Sequence, residues 1–166
     1  VAPAPAAALP SKTYTDTLTL ELKGRTIEIN HPVSAHTDGD SYIYFRDANV
    51  LSTGDTVTIG RYPNIDFLNG GSINGMVAAS DAYLALANDN TKIVPGHGPL
   101  ATRAQLADYR AMLATARDRM TKLIADGKTE ADVLAEKPLA DLDAKWAANE
   151  QAGRNFMRVV YNSLKR

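Results

Sequence analysis

The sequence predicts an α/β fold in which strands come first and helices dominate the rest. Three observations predict it. Residues 13–30 alternate between apolar and polar side chains, KIV at 92–94 is a short apolar run between helical segments, and apolar residues after 102 recur at steps of three and four. This order of elements is typical of a layered α/β domain.

The first element is predicted to be a β-hairpin over residues 13–30. In TLTLEL (17–22) the leucines lie on one face, and the threonines and the glutamate lie on the other. Lys23-Gly24 is a plausible turn, and alternation resumes afterwards with Ile27 and Ile29. We therefore expect a hairpin with one apolar face and one wet face.

The next elements are a loop at 31–40 and two short strands, SYIYF at 41–45 and VLSTG at 50–54. Short apolar runs of this kind favour strands covered on both faces. Residues 56–71 are irregular, and Ser72 is expected to cap a helix that ends near residue 88. The strand KIV follows, and PGHGP (95–99) is expected to stop it.

The remainder is predicted to be helical. Thr102 is expected to cap a long helix to about residue 126, with Gly127 after its end. Thr129 opens a short helix that stops before Pro138. A last helix carries the apolar residues Phe156, Val159, Val160 and Leu164.

Composition excludes several classes of function. With 18 basic and 19 acidic residues the net charge is −1, which gives no indication of a nucleic-acid partner. No apolar run is long enough to span a membrane. There is no cysteine, so disulfides, thiolate ligands and a cysteine nucleophile are excluded. The compartment stays open, with a periplasmic or secreted location favoured over a cytoplasmic one.

The N-terminal run VAPAPAAALP is rich in Ala and Pro but lacks the charged start of a whole signal peptide. We interpret residues 1–12 as a linker or extended arm and residues 13–166 as one domain.

Three short segments contain candidate functional residues. His36 lies in the Gly/Asp-rich loop AHTDGD, which can direct an imidazole at a site, although this segment taken alone favours a surface-loop histidine. Asp55 follows an apolar strand and is placed to face a crevice, although an Asx-turn or cap is equally plausible. His97 lies in PGHGP, between two glycines and two prolines. A stiff loop of that kind favours a function for its histidine.

Imidazole and carboxylate together form a common ligand set for Zn²⁺, and also suit Fe or Mn. The three residues are far apart in the sequence, so only the fold could bring them together. Asp38 or Asp40 could orient a ligand, although turn formation is favoured for both. Tyr62 and Ser72 lie in segments that could approach the site, with structural roles favoured.

The motifs AHTDGDSYIYF, VLSTGD, GRYPNID, GGSINGM and IVPGHGP, in this order and spacing, resemble the second half of metallo-β-lactamase-superfamily hydrolases. The resemblance covers roughly residues 14–125. It implies half of an αβ/βα sandwich that binds one or two metals, usually zinc. By resemblance His36 belongs to the first metal site, His97 belongs to the second, and Asp55 bridges both and positions hydroxide. His31 matches no ligand position and is interpreted as structural.

The sequence departs from the family in lacking its H-x-H-x-D-H ligand run. Three ligands spread over two metal positions fall short of the three protein ligands that one catalytic zinc usually has. We therefore expect this chain to supply only part of a metal site and to be inactive alone. Half a sandwich also exposes a sheet face, so we expect a homo-oligomer that covers it.

The substrate is expected to be a small molecule, whose class the sequence leaves open among β-lactams, thioesters, lactones and phosphodiesters. The alternative function is that of an inactive fragment or a non-enzymatic binding or oligomerising module without bound metal.

Overall fold

A computed structural model describes residues 3–165, which form one five-stranded sheet and five helices. The sheet order is β1-β2-β3-β4-β5; the first three pairings are antiparallel and the last is parallel. The strands are β1 (Thr17–Leu22), β2 (Arg25–Asn30), β3 (Tyr42–Phe45), β4 (Val50–Thr58) and β5 (Lys92–His97).

The helices follow the sheet in the chain, apart from α1, which lies between β4 and β5. The strands-then-helices architecture confirms the predicted α/β fold. The sequence did not distinguish α4, which occupies seven residues between two longer helices. The helices are α1 (Ile73–Leu86), α2 (Arg103–Ala125), α3 (Glu130–Glu136), α4 (Ala140–Trp146) and α5 (Glu150–Leu164).

The predicted hairpin is confirmed as β1 and β2, with Leu18 opposite Ile29 and Leu20 opposite Ile27. Lys23 and Gly24 form the turn, both with positive φ (52° and 73°). Two successive residues with positive φ give the two-residue turn that matches the twist of paired strands.

The strands β4 and β5 are longer than predicted, because parallel pairing continues past an irregularity. Gly54, with φ 56°, pairs with Pro95, and Thr58 pairs with His97. A proline, which has no N–H to donate, is tolerated at such a break in the ladder. Asp55 and His97 therefore lie within paired strands and not in the loops after them.

Three helix starts are confirmed by their caps. The side chains of Ser72, Thr102 and Thr129 each accept a hydrogen bond from the backbone N–H three residues later. In α2 and α3 the cap is reciprocal, because the third residue's side chain accepts from the cap's own N–H.

The core lies between the helices and one face of the sheet. Leu51 on β4 and Ile93 on β5 are fully buried, and Tyr44 on β3 is nearly so. From the helices, Met76, Tyr83, Leu106 and Leu113 are fully buried in the same cluster. This layer holds the carboxyl ends of β4 and β5 in place.

The opposite sheet face carries apolar side chains that take no part in this core. Residues paired across neighbouring strands lie on the same face of the sheet, so the strand pairings identify which apolar residues belong to this face. Each is half-buried or exposed, up to 58% for Leu22. We call this set the open apolar face: Leu18, Leu20, Leu22, Ile27, Ile29, Ile43, Phe45, Val50 and Val94.

Residues 3–13 of the N-terminal segment are exposed. Residues 1 and 2 of the predicted arm, and residue 166 of the predicted domain, lie outside the described residues, and the division at residue 12 stays a prediction. None of the helices within residues 3–165 combines the length and apolarity needed to cross a membrane.

Candidate functional site

Asp55 occupies the centre of the candidate site, on β4 directly after the irregularity at Gly54. Its Oδ1 lies 3.2 Å from Nε2 of His97, and its Oδ2 lies 3.7 Å from Nε2 of His36. The Asp55 side chain is 45% exposed, so solvent reaches it. The fold thus brings together all three residues that the sequence singled out.

His36 is positioned by a braced loop. The carboxylate of Asp40 accepts hydrogen bonds from the backbone N–H groups of His36 and Thr37, at 2.7 and 3.0 Å, and from the Thr37 hydroxyl at 2.9 Å. The His36 carbonyl accepts from the Asp66 N–H at 2.8 Å. The backbone of His36 is therefore tied on both sides, as expected for the turn-forming interpretation of Asp40.

The imidazole of His36 is oriented by the backbone of Asn64. Its Nδ1 lies 3.0 Å from the Asn64 carbonyl oxygen. A carbonyl only accepts, so Nδ1 carries the hydrogen and donates it. In the neutral ring the lone pair is then on Nε2, the atom that faces Asp55. This is the tautomer that a metal ligand bound through Nε2 requires.

His97 lies at the end of β5, and its side chain is 52% exposed. Gly96 allows the close approach, because a Cβ at that position would stand 2.2 Å from Asp55 Oδ1. Gly98, with φ 100°, turns the chain against Ile59, whose N–H donates to the His97 carbonyl at 3.0 Å. The glycines therefore permit close contact between β5 and the β4 segment that carries Asp55 and leads to Ile59.

His31 lies apart from the other two histidines. Its Nδ1 is 2.8 Å from the Asp40 carbonyl, so the ring supports the base of the loop that carries His36. Asp38 packs with its side chain beside Gly70, where an added Cβ would be 2.6 Å away. Neither residue contacts Asp55 by a recorded hydrogen bond or ion pair.

The donor set can be tested against the requirements of zinc. Two ligands at about 2.1 Å from a tetrahedral zinc ion lie about 3.4 Å apart. The distances of 3.2 and 3.7 Å are close to that value, and they involve different oxygens of Asp55. Within residues 3–165 no three His, Asp or Glu side chains form a single cluster able to hold a metal ion. The three residues are of the types that zinc binds, and each histidine–Asp55 pair has a spacing close to that of two zinc ligands, but within residues 3–165 they form no single group around one point.

A cleft of about 380 Å³ opens beside His97, between the segment after β4 and the helices α4 and α5. Tyr62 forms its base: the ring stacks on Phe156 at 4.1 Å, and the hydroxyl donates to Asp143 at 2.9 Å. Burial, followed by the hydrogen bond to Asp143, raises the pKa of Tyr62 above its ordinary range. Tyr62 therefore stays neutral and structural at physiological pH.

Sequence reasoning missed Asn64, which orients His36, and Arg61, Trp146 and Phe156, which line the cleft. Asn64 lies in the motif GRYPNID, but its contact with His36 is made by the backbone carbonyl, which every residue has, so the sequence gives no signal for it. The apolar residues of α5 resembled an ordinary helix face.

Known proteins resemble this chain at two levels, a sequence family and a fold. Residues 3–97 match the family model described as the metallo-beta-lactamase superfamily. The structure of the stereoselective inverting sec-alkylsulfatase Pisa1 from Pseudomonas sp. is 22% identical with a TM-score of 0.69, over 90% of this chain and 26% of its own. No curated protein sequence gives a significant match.

Two metallo-β-lactamase structures match a shorter part of the chain. BLEG-1, of the B3 type, is 27% identical with a TM-score of 0.53, over 62% of this chain and 48% of its own. The enzyme from Pontibacter korlensis is 20% identical with a TM-score of 0.55, over 63% and 49%. The chain thus spans about a quarter of the alkylsulfatase and about half of each lactamase.

Proposed function

The chain belongs to the metallo-β-lactamase superfamily, which supports a hydrolase-like function, and we propose that it contributes to a zinc-dependent hydrolase site through His36, Asp55 and His97. One observation carries the proposal: each oxygen of a single carboxylate faces the Nε2 of a different histidine. A carboxylate held in this way could serve either a single metal ion or two neighbouring metal ions.

The roles of the chain's own residues follow from their contacts. Asp55 offers one oxygen toward each histidine, and His36 offers a lone pair whose direction the Asn64 carbonyl maintains. Asp40 keeps the His36 backbone in place. When bound, zinc would lower the pKa of a water molecule to near 7 and so supply hydroxide at neutral pH.

We propose further that this chain supplies only part of the ligands. A tetrahedral catalytic zinc takes three protein ligands and leaves one position open. Here each metal position receives at most two protein donors, one histidine nitrogen and one oxygen of the shared Asp55. Each metal position then lacks at least one protein ligand, so we expect little or no hydrolysis by residues 1–166 alone.

The substrate we propose is a small molecule. The similar structures are named for two activities, metallo-β-lactamase and sec-alkylsulfatase, which differ in the bond attacked. A site with two histidines and one aspartate is compatible with either. The donors alone therefore do not distinguish between these substrate classes.

The second candidate function is a non-enzymatic module without metal. It is favoured by the lack, within residues 3–165, of three donors grouped around one point. Under this alternative, Asp55 forms ion pairs with the two histidines when their rings are protonated, and the contacts serve only to fasten β4, β5 and the loop at 31–40.

Zinc titration distinguishes the zinc-dependent hydrolase site from the module without metal. Isothermal calorimetry of the metal-free protein, checked by elemental analysis after dialysis, should detect zinc binding that Asp55→Asn and His97→Ala weaken at least tenfold. His31→Gln is the matched control, because His31 lies outside the donor set, and it should bind zinc like the parent. If zinc neither binds nor raises the melting temperature, the zinc proposal is overturned and the module without metal is supported.

We also propose that a second copy of this chain covers the open apolar face. The exposed N-terminal segment, residues 3–13, has the width of one strand, about 5 Å, and cannot cover five strands. A second copy presents the same face, so the two surfaces are matched in chemistry and can pair about a two-fold axis. Light scattering at micromolar concentration should give a dimer or larger assembly; a monomer would overturn this proposal.

A further inference from the structure

The cleft beside His97 has a rigid aromatic floor. Tyr62 and Phe156 stack with only 12° between their rings, and Trp146 lies in the same lining. All three residues are at least 90% buried, and the less buried Ala148, Ala152 and Val159 add apolar lining that a ligand can reach. The Tyr62 N–H donates to the Trp146 carbonyl at 2.8 Å, which joins the segment after β4 to the end of α4.

The rim of the cleft contains one permanent charge. Of the twelve lining residues only Arg61 is ionised at all ordinary pH values; the polar remainder includes Thr58, Asn64 and Asn155. Arg61 is exposed. Within residues 3–165 its guanidinium has no recorded hydrogen bond or ion pair. By contrast, Arg46, Arg110, Arg119 and Arg158 each pair with an acidic side chain.

A guanidinium without a protein partner is suited to binding oxyanions. Its planar set of N–H donors matches the oxygens of carboxylate, sulfate and phosphate groups, and pairs of this kind are charge-assisted and often bidentate. No acidic side chain lines the cleft to compete for it. The surroundings of Arg61 therefore favour an anionic group from outside the protein.

The position of the cleft connects it with the candidate site. His97, which contacts Asp55 at 3.2 Å, also lines the cleft. Arg61 lines the same cleft, so a molecule bound there has both Arg61 and a residue of the donor set among its surroundings. Aromatic floors bind apolar groups, because contact removes apolar surface from water.

We propose that this cleft is the substrate-binding subsite and that it selects amphiphilic anions. Arg61 binds the oxyanion, and the apolar lining, Ala148, Ala152 and Val159 together with the aromatic floor, binds the apolar portion. The assignment of the ligand as substrate rests on the proposed hydrolase function. Arg61 is thus a residue that determines specificity, and it has no role as a metal ligand.

Trp146 is the only tryptophan of the chain and lies outside the open apolar face. It lines this cleft and also a second pocket beside Asp108 and Lys145, so an Arg61 variant is needed to assign a fluorescence change to the cleft. We would titrate the metal-free protein with octanoate and, separately, with neutral 1-octanol. Octanoate should change the emission in a saturable manner, with a dissociation constant at least tenfold lower than that of octanol, as expected for a charge-assisted contact.

Variants make the test specific. Arg61→Ala should weaken octanoate binding about tenfold or more and leave octanol binding unchanged, while Arg61→Lys should give an intermediate loss. Arg25→Ala is the matched control, since Arg25 is exposed, lies on β2 and has no recorded acidic partner within residues 3–165. It should bind octanoate like the parent.

Equal affinity for octanoate and octanol, or an Arg61→Ala variant that binds octanoate normally, would overturn the subsite. The measurement contains no zinc. If octanoate does not bind as expected, the subsite is overturned, and the zinc titration still decides the proposed hydrolase function. If zinc does not bind, the preference of the cleft for anions is unaffected.

Discussion

Gly96 on β5 lies so close to Asp55 on β4 that a Cβ carbon at residue 96 would stand 2.2 Å from Asp55 Oδ1 and 2.6 Å from the Gly54 carbonyl carbon. Both contacts are far shorter than van der Waals separation, and one of them involves backbone that cannot rotate away. The geometry of the Asp55–His97 pair therefore depends on the absence of a side chain at residue 96.

Gly96→Ala should disturb the geometry of the Asp55–His97 pair more than it disturbs the overall fold. We expect destabilisation of about 1–3 kcal/mol, from forced separation of β4 and β5. We also expect at least tenfold weaker zinc binding, because Asp55 must move. Chemical denaturation and calorimetry measure the two effects. Gly39→Ala is the control, since its nearest contact would be an ordinary 3.9 Å; equal effects of both variants would contradict the proposed geometry.

Asp40 should affect the site only through His36. Asp40→Asn replaces a charged acceptor by a neutral amide, so the hydrogen bonds from the backbone N–H groups of His36 and Thr37 are no longer charge-assisted. We expect a loss of about 1–3 kcal/mol in unfolding free energy and weaker zinc binding. Asp38 lies in the same loop, and within residues 3–165 its side chain makes no hydrogen bond, so Asp38→Asn should match the parent protein. Zinc affinity unaffected by Asp40→Asn would show that the loop brace is not needed.

Folding stability should fall at alkaline pH. Burial raises the pKa of Tyr83 and Tyr109 above the ordinary value of 10.0. Above that value the unfolded chain loses these protons while the folded chain keeps them, so stability is full below pH 10 and decreases as pH rises toward the folded-state pKa values. The slope is about 1.4 kcal/mol per pH unit for each tyrosine. Denaturant titrations from pH 8 to 12 measure it, and Tyr109→Phe should make the fall shallower; an unchanged slope in that variant would contradict the assignment.

The open apolar face can be tested on a single strand. Leu20 points to that face and is 37% exposed, whereas Thr19 points to the other face of β1. Leu20→Lys should convert the expected oligomer to monomer, because it places a charge in an apolar contact. Thr19→Lys should leave the assembly unchanged. Light scattering of both variants at one concentration gives the answer, and an oligomer that withstands Leu20→Lys would exclude this face as the interface.

Much of the fold was predictable from the sequence because the signals are local. The turn at Lys23-Gly24, the cap at Ser72 and the capping boxes at Thr102 and Thr129 depend on neighbours within a few residues. The strand ends were predicted less well. β4 and β5 continue to Thr58 and His97 because each supports the other, and no local pattern contains that pairing.

The sequence by itself determined which side chains are the candidate donors: His36, Asp55 and His97 stood out by their local context and by resemblance to a family. Only the tertiary structure decided that the two oxygens of Asp55 face different histidines and that the Asn64 carbonyl selects the tautomer of His36. It also decided that α4 and α5 form a cleft beside His97 and that one sheet face is left open. The physical reason is that these features are distances between segments remote in the chain, which are set by packing of the whole layer and by close approaches such as that of Gly96 to Asp55.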